Sequence, residues 1–87
     1  MRLRLACGHE ELSVEFPDGT PVTVAQLLRA AGDQRPDLYQ RWCNEEGRLR
    51  RFLAVFVDGE HVRYRDGLET ALNEGNEVYV IPLITGG

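Results

Sequence analysis

Apolar residues in this chain recur with a two-residue period near both ends and with a helical period in one clear stretch between them. That pattern leaves few ways to build a core. Arg2 to Cys7 sets Leu3 and Leu5 against Arg2 and Arg4, and Glu11 to Phe16 sets Leu12, Val14 and Phe16 to one side. Alternation of this kind marks half-buried strands. Gly8-His9-Glu10 supplies a turn that joins the two into a hairpin, and Pro17-Asp18-Gly19 ends the second strand. The period then changes. Val24, Leu27, Leu28 and Ala31 fall at i, i+3, i+4 and i+7, a single apolar stripe. Thr23 and Gln26 have capping-box spacing at its start, and Gly32 is expected to stop the helix. A helix with one apolar stripe must lay it on something flat, and the neighbouring strands provide the surface.

The second half continues the sheet. Pro36 to Trp42 reads as a second short helical turn with proline at its first position, and Leu38 and Trp42 are spaced to pack back on the core. Asn44 to Arg51 is polar and is expected to be a mobile loop, with Arg48, Arg50 and Arg51 as a basic cluster diluted by Glu45 and Glu46. Phe52 to Val57 is nearly continuously apolar and reads as an interior strand. Asp58-Gly59 signals a hairpin, with Glu60 to Tyr64 returning as a short strand. Leu68, Ala71 and Leu72 suggest a helical turn, and Asn73 to Asn76 a turn into the last strand, Glu77 to Pro82. There Val78 and Val80 should face the core and Tyr79 and Ile81 face away. Proline cannot donate to a ladder, so pairing is expected to end at Pro82. The simplest assembly is an α+β fold. A mixed sheet of four or five strands carries one main helix on one face, with the last strand parallel to the first, a β-grasp arrangement.

Eighty-seven residues make one small domain, which buries only about three-fifths of its unfolded surface. The expected division is a folded domain over 1–82 and a tail over 83–87. The net charge of −4, with both signs interspersed, argues against a nucleic-acid partner. All ten basic residues are arginine. Cys7 and Cys43 have no framework spacing and read as free thiols of a cytoplasmic protein. No apolar run is long enough to cross a membrane, and no signal peptide is evident.

Catalytic groupings are missing. His9, His61, Cys7 and Cys43 show no metal-ligand spacing, and Cys7-x-His9 lacks a third group to orient a base. An enzyme working alone is not expected, nor is a resident cofactor or metal. What remains is the end of the sequence, Gly86-Gly87, directly after a strand. Residues without Cβ atoms can thread a narrow slot, and Leu83 to Gly87 can extend about 17 Å.

The segment Phe56 to Tyr64, then Leu68 to Pro82, then Leu83-Ile84-Thr85-Gly86-Gly87 resembles the ubiquitin-like sulfur carriers, the MoaD and ThiS family with its CysO-type members. The shared pattern is a strand ending in a Val-Asp turn, a leucine-containing turn, a Gly-Asn-x-Val step, and a strand running through proline to Gly-Gly. The resemblance implies that an E1-like enzyme adenylates the Gly87 carboxylate with ATP–Mg²⁺, and that a persulfide-derived sulfur displaces AMP to leave a thiocarboxylate. Leu83, Ile84, Thr85 and Gly86 would thread into the partner's slot. Ile81, Tyr79 and Ala6 would form a docking patch at the tail root, with His61 in a comparable outward position where some relatives carry an apolar residue. The implied partners are the activating enzyme and either the large subunit of molybdopterin synthase or a pyridoxal-phosphate cysteine synthase. Two other readings stay open: a ubiquitin-like modifier joined through Gly87 to target lysines, and a plain β-grasp interaction domain. The stretch from Asp33 to Arg51 is longer than in the smallest members and looks more like the CysO-type carriers.

Overall fold

The computed structural model describes residues 1–83. The expected threading residues Ile84, Thr85 and Gly86 and the reactive Gly87 lie outside them. Strands β1 (Arg2–Cys7) and β2 (Glu10–Glu15) form the expected hairpin, turning at Gly8 with φ of 61°. Two-residue strand β3 (Val22–Thr23) leads into helix α1 (Val24–Gln34), followed by α2 (Pro36–Trp42). Strand β4 (Leu53–Val57), the short β5 (Glu60–His61), two 3₁₀ turns, β6 (Ala71–Leu72) and β7 (Glu77–Pro82) complete the chain. The main sheet runs β2-β1-β7-β4-β5, with β7 parallel to β1 and antiparallel to β4. Strands β3 and β6 form a separate two-stranded ribbon.

Each element follows from local chemistry. Thr23 caps α1 as the spacing predicts: its hydroxyl accepts from the Gln26 amide at 3.3 Å, and the Gln26 side chain accepts from the Thr23 amide at 2.8 Å. The predicted stripe, Val24, Leu27, Leu28 and Ala31, is buried against the inner face of the sheet, where Leu3, Leu5, Val55, Val57, Val78 and Val80 meet it. Each such side chain contributes about 1.5–3 kcal/mol on burial. Leu38 and Trp42 of α2 fill the same core.

Five expectations need correction. Gly32 does not end α1; the helix runs on to Gln34, and Gly32 is buried within it. Its lack of a side chain serves packing, because a Cβ there would lie 2.7 Å from Cβ, Cγ and Cδ1 of Tyr39 on α2. The return strand after Asp58-Gly59 stops at His61, whose Nδ1 accepts from the Arg63 amide at 3.1 Å and starts a 3₁₀ turn over Val62–Tyr64. Ala71 and Leu72 are strand rather than helix. The helical tendency is spent on the 3₁₀ turn Gly67–Glu69, which the Thr70 hydroxyl closes by donating to the Gly67 carbonyl at 2.7 Å. Beyond it the backbone pairs with β3, and the Val24 amide donates to the Thr70 carbonyl. Tertiary pairing outweighs propensity in so short a segment.

Pairing also passes Pro82. The Leu83 amide donates to the Phe52 carbonyl at 2.6 Å. Alternation turns the Pro82 nitrogen toward β1 instead, where the ladder has already ended at Ala6–Tyr79, so the missing donor costs nothing. The Asn44–Arg51 segment, expected to be mobile, is tied into a closed turn. Asn44 Oδ1 accepts from the amides of Glu46 and Arg48, Cys43 bridges Leu49, and the Arg50 amide donates to the Trp42 carbonyl.

Candidate functional site

The outer face of the sheet, opposite α1, gathers residues from four strands into one row. Register pairs Ala6 with Tyr79, Tyr79 with Phe56, and Phe56 with His61. Directly paired residues share a face, so the four side chains lie side by side across β1, β7, β4 and β5. The aromatic rings touch in sequence: Phe56 and His61 are 5.1 Å apart between centroids, and His61 meets Tyr64 edge-on at 6.2 Å. Toward the tail, Ile81 pairs with Ala54, and Leu83 bonds to Phe52. Among the described residues the exposed large apolar side chains are Phe52, Tyr64, Tyr79, Ile81 and Leu83. All of them lie on this face or at its borders, which is the feature that singles it out.

The sequence-derived patch of Ile81, Tyr79, Ala6 and His61 is therefore a contiguous surface in the fold, with Leu83 beside it. Sequence reasoning missed Phe56, which connects Tyr79 to His61. The continuous apolar run Phe52 to Val57 reads as an interior strand and gives Phe56 no side, whereas in the fold Leu53, Val55 and Val57 join the core and Phe56 lies beside Tyr79 on the outer face. The signal was the pairing itself, since Phe56 lies opposite a residue already assigned to the outer side.

Charges border the row. The Arg4 guanidinium pairs with Glu11 on one flank, and the Tyr79 hydroxyl donates to Glu77 Oε2 at 3.1 Å. That hydrogen bond, with the Glu77 charge, pushes the Tyr79 phenol up from its ordinary value, so it remains a neutral donor. On the opposite flank the Arg63 guanidinium lies 5.0 Å from the Tyr64 ring centroid.

The remaining reactive groups do not assemble. Cys7 accepts from Trp42 Nε1 at 3.3 Å, and His9 sits exposed in the hairpin turn. Cys43 is buried, and burial pushes its thiol up against the opposing effect of the Tyr39 hydroxyl and nearby arginines. Both cysteines are free thiols. Among the described residues no cluster of His, Cys, Asp and Glu could hold a metal ion, and no helix is long and apolar enough to cross a membrane.

Comparison with known proteins agrees with this geometry. The sequence model of the ThiS family matches residues 5–87. A protein of Archaeoglobus fulgidus named as a candidate sulfur carrier is 31% identical over the whole chain and 98% of its own length. Small archaeal modifier protein 3 of Haloferax volcanii is 34% identical over 75% of the chain and 70% of its own length. Among solved structures, small archaeal modifier protein 1 of the same organism superposes over the full length of both chains with a TM-score of 0.82 at 22% identity, a likeness of fold. A chain of the BexX/CysO complex from Amycolatopsis orientalis superposes with a TM-score of 0.69 at 31% identity, covering 86% of this chain and 80% of that one. The relatives named as sulfur carriers are small carrier proteins rather than catalysts. With its β-grasp sheet, its outward aromatic row and a family match reaching residue 87, the chain belongs to the ThiS family of ubiquitin-like sulfur carriers.

Proposed function

We propose that this protein carries sulfur on its terminal glycine, Gly87, and donates it for the synthesis of a small sulfur-containing metabolite. An E1-like enzyme would use ATP–Mg²⁺ to convert the Gly87 carboxylate, a poor electrophile, into an acyl adenylate with AMP as leaving group. The outer sulfur of an enzyme persulfide then displaces AMP to give an acyl disulfide, and a second thiol cleaves that disulfide, forming a new disulfide with the persulfide's inner sulfur and leaving the thiocarboxylate. Gly86, Thr85, Ile84 and Leu83 thread the terminus into each partner's active site. The row Ala6, Tyr79, Phe56 and His61, with Ile81, receives the partner's surface.

The observation carrying this reading is the position of the exposed apolar residues, gathered on the one face that borders the tail-bearing end of β7. A carrier that presents its terminus to successive enzymes needs such a face there. Likeness to a chain of the BexX/CysO complex and to mycobacterial CysO favours a CysO-type pathway such as cysteine biosynthesis, with a pyridoxal-phosphate synthase as acceptor, over the molybdopterin branch and its large synthase subunit. The protein would act in the cytoplasm, where both classes of partner work.

A second reading has its own support. Similarity to small archaeal modifier protein 3 favours conjugation through Gly87 to target lysines. The chain has no lysine of its own, so it could modify other proteins but could not build lysine-linked chains on itself. Mass spectrometry of protein isolated from its native host separates the two. Exchange of a terminal oxygen for sulfur is the expected result for the carrier, and lysine-linked glycine remnants on other proteins for the modifier. Full activity after deletion of Gly86 and Gly87 would remove both.

A further inference from the structure

At the Pro82 end of the sheet, on the side of α2, lies a hollow of about 310 Å³ that adjoins the outer face only at Phe52. Its walls are Trp42, Phe52, Leu53 and Pro82, and Arg41 and Arg50 stand among them. Cys7 also lines the hollow, and its sulfur accepts the hydrogen bond that fixes the Trp42 indole. Arg50 is fixed as well, because its Nε donates to the Gln40 carbonyl at 2.8 Å. A guanidinium held this way loses little freedom on binding a carboxylate.

Half of the ten arginines lack a carboxylate partner among the described residues, Arg29 and Arg63 elsewhere on the surface among them, and what distinguishes this corner is that two such guanidinium groups flank one apolar hollow. Arg2, Arg4, Arg35, Arg48 and Arg65 each lie within 4 Å of a carboxylate. Arg41, Arg50 and neighbouring Arg51 have no such partner among the described residues. The chain as a whole carries −4, so a cationic rim around an apolar floor runs against its general character. An apolar ligand would leave the guanidinium groups unused, and a bare phosphate would leave the floor uncovered.

We infer that this hollow is a second docking site, and that its occupant is an acidic segment of a partner protein bearing one large apolar side chain. The apolar side chain fills the space between Trp42 and Phe52, and flanking Asp or Glu residues pair with Arg41 and Arg50. Phe52 borders both the hollow and the end of the outer face, and its carbonyl holds Leu83. A partner gripping this site is thereby placed beside the tail root. The inference also assigns a task to the Asp33–Arg51 stretch, which supplies Arg41, Trp42 and Arg50. It extends the carrier reading but does not require activation of Gly87, so the two stand or fall separately.

The test is a heptapeptide library displayed on phage and panned against the full chain. Enrichment of a Leu, Met or aromatic residue flanked by Asp or Glu is expected. The selected synthetic peptide should shift the Trp42 indole and Phe52 resonances in a ¹⁵N spectrum, while Tyr79 and His61 stay in place. The double substitution R41E/R50E should weaken it about tenfold or more. R41E alone, which disturbs no hydrogen bond among the described residues, should weaken it measurably with an unchanged thermal midpoint. Several results overturn the idea: no enrichment, enrichment of neutral or basic sequences, shifts centred on Tyr79, or indifference to R41E. It also fails if deleting residues 84–87 moves the Trp42 indole resonance without peptide, since the chain's own tail is then the occupant. Concentration-dependent dimerisation through the same residues overturns it in favour of a second copy.

Discussion

Substituting Gly32 by alanine sets two general rules against each other, and the structure decides between them. Alanine inside a helix is normally better than glycine by about 1 kcal/mol. Here the new Cβ would sit 2.7 Å from three atoms of Tyr39, including its Cβ. A flexible side-chain end could swing away, but a Cβ moves only with its backbone, so α2 must shift relative to α1. Overpacking of this kind costs about 1–3 kcal/mol, and three simultaneous contacts with a backbone-attached atom place it in the upper half of that range. After subtracting the helix gain, Gly32→Ala should destabilise the protein by about 1–2 kcal/mol. For a domain of this size each kcal/mol moves the midpoint by about 4–8 °C, so thermal unfolding should fall by about 5–15 °C. Removing the ring in the double variant Gly32→Ala, Tyr39→Ala should cost less than the sum of the single changes, because two of the three close contacts disappear. A Gly32→Ala protein as stable as the original, or more stable, would refute the packing account and leave helix propensity in charge.

Further outcomes follow from other contacts. Phe56→Ser should reduce affinity for the E1-like enzyme by about tenfold or more, measured by calorimetry, while costing the half-exposed strand about 1 kcal/mol; unchanged affinity would show that the outer row is not where that enzyme docks. Asp58 accepts from the Glu77 amide at 2.8 Å and from Asn76 Nδ2 at 2.6 Å, and adopts φ of 50°. Asp58→Ala should therefore cost about 2 kcal/mol in urea unfolding, and Asp58→Asn, which keeps an acceptor and tolerates that φ, clearly less. Arg35 donates to both Asp37 oxygens and holds that carboxyl below its usual range, chiefly through the hydrogen bond. A lowered folded-state pKa stabilises above the unfolded value and is lost as pH falls through the folded one. The difference in midpoint between the native protein and Asp37→Asn should then be present at neutral pH and close as the pH drops below about 4. A constant difference down to pH 2 would mean that the pairing contributes nothing.

The parts of this fold that were legible in the sequence are those in which one face is buried and the other solvated. The β1–β2 hairpin, the α1 stripe with its Thr23–Gln26 cap, and the inward Val78 and Val80 of β7 all carry a period, and period reads directly as orientation. Even the parallel placement of β7 beside β1 followed from element order. Segments whose geometry depends on distant partners were not legible. Ala71 and Leu72 become strand only because β3 lies alongside, and Gly32 is required by a ring seven residues away. The outer row was half visible for the same reason. Tyr79 and Ile81 alternate with core valines, but Phe56 lies in a run where every residue is apolar, so composition alone assigns it no side. The hollow by α2 was invisible, since Arg41 and Arg50 meet Pro82 only in three dimensions.

Strand β7 follows all the other described strands in the chain, yet it lies third of five in the sheet, between β1 and β4. Without it, the strands of the main sheet fall into two unconnected hairpins. Each contributes a fragment of the outer row, and Tyr79 is the residue that joins them. A nascent or partly unfolded chain therefore has no assembled outer row, and the strand that completes the row is the one that leads to residues 84–87. On the proposed carrier reading, folding would act as a licence: an enzyme that selects the row of Ala6, Tyr79, Phe56 and His61 would admit only chains in which β7 is already in place.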